Sequence, residues 1–108
     1  GLVNIRMFRP FPEKEFIESV KGAGLLVVMD KDLGFGTGGM IYPDVTRVLY
    51  HLYQRPMALN FIMGLGGRDV TPETIQHSYY RSRVVLQDGL KDTTQTLFWP
   101  DTNLEGLY

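Results

Sequence analysis

Apolar residues fall in three short runs along this chain, and each run is followed by a segment with helical spacing. In the first run Val3, Ile5 and Met7 point to one side while Leu2, Asn4, Arg6 and Phe8 alternate on the other, which predicts a strand over 2–8. Arg9-Pro10-Phe11-Pro12 breaks it, and Pro12 suits the first position of a helix. Glu13 and Glu15 complement the dipole of that helix, Phe16, Ile17 and Val20 form its apolar stripe, and Gly22 with Gly24 ends it. The second run, Leu25 to Met29, closes on Asp30. After a glycine-rich loop, Ile41, Val45, Val48, Leu49 and Leu52 predict a helix from about Met40 to Tyr53, with Pro43 in its first turn. The third run, Met57 to Met63, is interrupted only by Asn60, as expected of a strand covered on both faces. It empties into a tight turn (Gly64, Gly66, Gly67), then Arg68-Asp69 and a helix from Thr71 to about Arg83. Thr71 is a good N-cap, Pro72 suits the first helical position, and Ile75 and Tyr79 are the expected core contacts.

The order βαβαβα calls for parallel strands and right-handed crossovers, so the expected fold is α/β: a three-layer α/β/α arrangement around a mostly parallel sheet. From Gln87 onward the helical period is lost, which divides the chain into a domain over 1–86 and a tail over 87–108. The tail predicts a short strand near Thr96 to Trp99. Its Leu97, Phe98, Trp99 and Leu104 make it too apolar to be solvated, so it is expected to pack on the domain or on a neighbouring subunit. Three strands are few for a sheet wrapped on both faces, and the first begins at the first residue. The expectation is a domain truncated at its N-terminal βα unit.

Composition narrows the function classes. The 108 residues are 44% apolar and 21% charged, with a formal charge of -1. That balance gives no basic surface for nucleic acid. No apolar run approaches the length of a membrane span, and no signal segment opens the chain. The chain has no cysteine, which excludes disulfides, thiolate nucleophiles and iron–sulfur ligation within it, and fits a cytoplasmic location. The two histidines, His51 and His77, have no metal-ligating spacing.

Two glycine loops carry the remaining signal. Gly34, Gly36 and Gly39 satisfy G-x-G-x-x-G, yet Lys31-Asp32-Leu33 separates the first glycine from the strand, and the third strand ends without an acid. Both departures argue against a dinucleotide site and for a tight turn feeding a helix. Gly38 and Gly39 still leave the N–H groups of that helix uncovered, which makes Gly36, Thr37, Gly38 and Gly39 candidates for holding an anion or a partner carbonyl. Gly66, Gly67, Arg68 and Asp69 read in two ways. One is turn chemistry with a local ion pair; the other is close approach of another backbone, with Arg68 reaching a carboxylate or phosphate. Asp30, Arg9 and both loops should share the carboxyl edge of the sheet, the usual functional face of such folds. No nucleophile–base pair or carboxylate dyad is visible there, and His77, Tyr79 and Tyr80 read as packing or surface residues. Asn60 reads as a satisfied core polar residue.

Three blocks, VNIRMFRPFPEKEF, LLVVMDKDLGFGTGG and LNFIMGLGGRDVTPETI, together resemble the α subunit of pyruvate:ferredoxin oxidoreductase (pyruvate synthase) and close 2-oxoacid:ferredoxin oxidoreductases. They span about Val3 to Ile75; the tail matches nothing nameable. The resemblance implies the family's second core domain, which is similar to the C-terminal domain of transketolase and normally opens with a further βα unit. Members oxidatively decarboxylate a 2-oxoacid with thiamine diphosphate, Mg and coenzyme A, passing electrons through iron–sulfur clusters to ferredoxin. It further implies that these cofactors lie on other domains, so no cofactor and no catalytic residue is assigned to this chain, which is expected to be inactive alone. Its role would be structural, at interfaces with thiamine-binding and iron–sulfur subunits. The alternatives are a free-standing α/β module that binds a nucleotide or phosphate at the Gly36–Gly39 helix start, and an NAD-linked transketolase or dehydrogenase relative, against which the RPFP and GLGGRDVTPE blocks argue.

Overall fold

A computed structural model describes residues 1–34, 38–88 and 96–100. Its elements are α1 (Glu13–Val20), β1 (Leu25–Asp30), α2 (Tyr42–Tyr50), β2 (Met57–Ile62), a 3₁₀ turn (Leu65–Gly67), α3 (Pro72–Asp88) and β3 (Leu97–Phe98). The two continuous apolar runs become β1 and β2. They pair in parallel from Leu25 with Met57 to Asp30 with Ile62. β3 adds in parallel on the far side of β2, with Phe61 opposite Phe98, so the order is β1-β2-β3.

Alternation along the strands sends side chains into two separate cores. On one face Leu26, Val28 and Ala58 meet Phe11, Phe16 and Val20 from α1 and its approach, and Val45, Val48 and Leu49 from α2. On the other face Leu59, Phe61, Met63 and Phe98 meet Val85 of α3, with Leu25, Val27, Met57 and Val70 packed around them. Helices thus cover both faces of the parallel sheet, as the element order requires.

The two helices of the first face are tied down by polar contacts. The Tyr42 hydroxyl donates to the Ala58 carbonyl at 2.9 Å. Arg47 reaches Glu13 at 2.7 Å, and Arg9 reaches Asp44 at 2.8 Å. These ion pairs are open to solvent on at least one side and contribute under about 1 kcal/mol each. α3 starts as the sequence predicts, with Thr71 Oγ1 accepting from the Thr74 N–H at 3.2 Å and Pro72 as the first helical residue.

Three expectations need correction. Residues 2–8 form no strand, and Leu2, Val3 and Met7 are exposed. Alternation supplies a strand's side chains but not its hydrogen-bonding neighbour, and no strand of the sheet pairs with this segment. Ile75 and Tyr79 are 44% and 52% exposed rather than core. The buried face of α3 is instead Ser78, Ser82 and Val85. Both serine hydroxyls donate back to the carbonyl four residues earlier, so small polar side chains are buried without an unsatisfied group. Finally, α3 runs to Asp88, past the end expected near Arg83, and α2 is shorter than expected at both ends. Leu97 and Phe98 of the tail sit in the sheet, with Phe98 only 2% exposed.

Candidate interface at the carboxyl edge of the sheet

The carboxyl ends of β1 and β2 are joined by a buried polar knot. Asp30 closes β1 and is 4% exposed; Asn60 interrupts β2 and is fully buried. The Asn60 amide nitrogen donates to Asp30 Oδ2 at 2.9 Å and to the Val28 carbonyl at 3.1 Å. Its oxygen accepts from the Gly39 N–H at 2.8 Å. Asp30 Oδ1 accepts from the Ile41 N–H at 3.1 Å, and Asp32 Oδ1 accepts from the Met40 N–H at 3.1 Å. Burial pushes the Asp30 carboxyl above its ordinary value of 3.8, and the bonds from Ile41 and Asn60 pull it part of the way back.

Three consecutive N–H groups ahead of α2 are therefore occupied by the chain's own oxygens, two of them carboxylates. This corrects the expectation that Gly38 and Gly39 leave those donors free for an anion. Both glycines are buried, and their lack of side chains has a local cause. A Cβ on Gly39 would run into the Asp30 carboxylate, and one on Gly38 would stand 2.7 Å from Asn60 Oδ1. Gly34 donates to the Gly38 carbonyl at 2.6 Å, which closes the loop on itself. Gly36 and Thr37 lie outside the described residues. Gly39→Ala should lower stability by about 2 kcal/mol, the usual cost of overpacking a well-filled site. Chemical denaturation monitored by circular dichroism checks this, and an unchanged midpoint would refute the close approach.

The second loop differs. Gly64 is buried, whereas Gly66, Gly67, Arg68 and Asp69 are exposed at the end of β2. Gly64, Gly66 and Gly67 all have positive φ (74°, 65° and 81°), so the backbone of the turn accounts for all three glycines by itself. Of the described candidate residues, Gly66–Asp69 are the exposed ones on this edge, whereas Gly38 and Gly39 are buried. Sequence reasoning passed over the knot as such. Its signals were a single polar residue inside an apolar strand and an aspartate closing the neighbouring strand. Among the described residues no group of His, Cys, Asp or Glu could hold a metal, and no helix is long and apolar enough to cross a membrane.

A sequence model described as pyruvate:ferredoxin oxidoreductase core domain II matches residues 1–75. The chain belongs to that family. This core domain II is 39% identical over 79 residues to pyruvate synthase subunit PorA of Thermotoga maritima, covering 73% of the chain and 20% of the relative. It is 34% identical over 92 residues to ketoisovalerate oxidoreductase subunit VorA of Pyrococcus furiosus, covering 85% and 23%. With PorA of Methanothermobacter thermautotrophicus it shares 35% identity over 99 residues, covering 88% and 25%. The chain thus spans a quarter or less of the length of these relatives. Two of the three sequence blocks, LLVVMDKDLGFGTGG and LNFIMGLGGRDVTPETI, contain the knot: Asp30, Asp32 and Gly39 lie in the first and Asn60 in the second.

Proposed function

We propose that this core domain II serves as a structural and interface domain in the α subunit of a 2-oxoacid:ferredoxin oxidoreductase. That enzyme oxidatively decarboxylates a 2-oxoacid to an acyl-CoA and delivers electrons to ferredoxin. The observation that carries the reading is the family match over residues 1–75. The relatives include subunits of a pyruvate synthase and of a ketoisovalerate oxidoreductase, which supports a 2-oxoacid as the substrate class. Thiamine diphosphate, Mg, coenzyme A and the iron–sulfur clusters are assigned to other domains and subunits of a cytoplasmic complex. A chain without cysteine supports that division for the clusters. Here the knot fixes the shape of the sheet edge, and Gly66, Gly67, Arg68 and Asp69 form its outward-facing contact surface. The nucleotide-binding alternative is disfavoured because the N–H donors it would need are engaged by Asn60, Asp30 and Asp32.

The test is affinity purification of the tagged α subunit from its native cell. Thiamine-binding and iron–sulfur subunits should copurify, and Arg68→Glu should reduce their recovery about tenfold, equivalent to ~1.4 kcal/mol of lost contact. Recovery of the tagged polypeptide alone would sink the proposal, as would unaided turnover of a 2-oxoacid by the purified 108-residue chain.

A further inference from the structure

Each strand end braces the loop that follows its neighbour. Asn60 of β2 holds the Gly39 N–H in the loop after β1. The reverse contact is made by Lys31, the first residue after β1. A Cβ built on Gly64, just past β2, would stand 2.8 Å from Lys31 Cε, 3.0 Å from Val70 Cγ2 and 3.3 Å from the Arg68 carbonyl oxygen. The Lys31 stem therefore lies on the bare backbone of Gly64, and the turn from Gly64 to Val70 folds back beside it. The head group does not explain the placement: Lys31 is exposed, and no ion pair among the described residues involves it. Its methylenes make the contact, as the stems of long cationic side chains do when they cover nonpolar surface.

Gly64 is the place where such a brace acts on the whole turn. Cβ positions on Gly66 and Gly67 would meet no described residue within 4 Å, so packing on the domain reaches this turn at its base. Gly64 is buried at that base between Lys31 and Val70, and Val70 packs against the core beneath α3. We propose that Lys31 is a positioning residue for the contact surface Gly66–Asp69, and that it acts through its aliphatic stem rather than its charge. A turn fixed in advance spares a docking partner the cost of ordering it. The two loops thereby form one body at the carboxyl edge, joined by Asn60 in one direction and by Lys31 in the other. The role in docking rests on the interface reading proposed above; the packing of Lys31 on Gly64 does not.

Lys31→Ala removes both stem and charge, whereas Lys31→Met keeps most of the stem and removes the charge. Each is compared with the unsubstituted tagged protein by residue-resolved amide hydrogen exchange and by recovery of the copurifying subunits. The Arg68 N–H, which donates to the Leu65 carbonyl at 3.3 Å, reports on the turn. The Met63 N–H, which donates to the Asp30 carbonyl at 2.9 Å, reports on the end of β2. In Lys31→Ala the Arg68 amide should exchange about fivefold faster with Met63 unchanged, and recovery should fall about threefold. Lys31→Met should return both readouts to the unsubstituted level. An Arg68 amide indifferent to Lys31→Ala would overturn the inference. So would a Lys31→Met protein that exchanges normally yet recovers as little partner as Lys31→Ala, since Lys31 would then act by its charge on the partner itself. If no subunit copurifies with the unsubstituted protein, the proposed function fails, while the exchange comparison still decides the brace.

Discussion

Phe98→Ala is expected to lower the stability of the chain by about 4 kcal/mol, near the top of the range for a buried aromatic cut to alanine. Phe98 is 2% exposed and stacks on Phe61 with ring centroids 4.9 Å apart and planes 17° from parallel. The Arg81 guanidinium lies 5.4 Å from the Phe98 ring on the α3 side. Among the described residues β3 has two residues and lies beside β2 at one end of the sheet. The substitution therefore removes the aromatic contact that seats this strand and opens the core beneath α3. Denaturant titration gives the size of the effect. Exchange of the Asn60 amide, which donates to the Thr96 carbonyl at 2.8 Å, reports the loss of β3 pairing separately. A destabilisation under about 1 kcal/mol would mean that Phe98 is not part of the core.

Asn60→Leu, which keeps the branching pattern and heavy-atom count and removes the polar atoms, should cost about 3 kcal/mol at neutral pH. The Gly39 N–H would lose its acceptor inside the protein, and the buried Asp30 carboxylate would lose a donor. The pH dependence distinguishes this cause from simple mispacking. Because Asp30 has a raised value in the folded chain, the folded state binds its proton more tightly than the unfolded state. The contribution of this group to stability is therefore complete below the unfolded value of about 3.8 and is lost as pH rises through the higher folded value. Removing the Asn60 donor raises that folded value further. The deficit of the variant should then shrink as pH falls from neutral toward 4, because a protonated Asp30 no longer needs the amide. A deficit independent of pH would place the cost in packing alone.

The two strands with continuous apolar runs were legible from residues, as were the N-terminal start of α3 and the buried stripes of α1 and α2. Burial on two faces leaves a mark that a single segment carries by itself. The segment 2–8 misled for the opposite reason: a strand is a property of a pair, and half of the pair cannot be read from alternation. Ile75 and Tyr79 misled because helical spacing reports which residues share a face, not which face meets the sheet. Ser78 and Ser82 took that place, since small side chains bring the helix close. The polar knot was visible only as separate residues. Asp30 and Asn60 are thirty positions apart, and parallel pairing is what brings their side chains within 2.9 Å. The glycines of both loops stood out in the sequence, and those among the described residues have local causes. Their causes proved to be different: a collision with Asp30 at Gly39, and backbone handedness at Gly64, Gly66 and Gly67.

The serine face of α3 has a mechanical consequence. Both buried hydroxyls are spent on carbonyls of their own helix, so neither fastens it to the strands below. α2, by contrast, is pinned to the sheet through the Tyr42 hydroxyl and the Ala58 carbonyl. Contact across a smooth, non-directional surface resists separation but offers little resistance to sliding. Of the two helical layers, α3 thus meets the strands through packing at its serine face, with the Arg81 guanidinium over the Phe98 ring as a directional contact farther along.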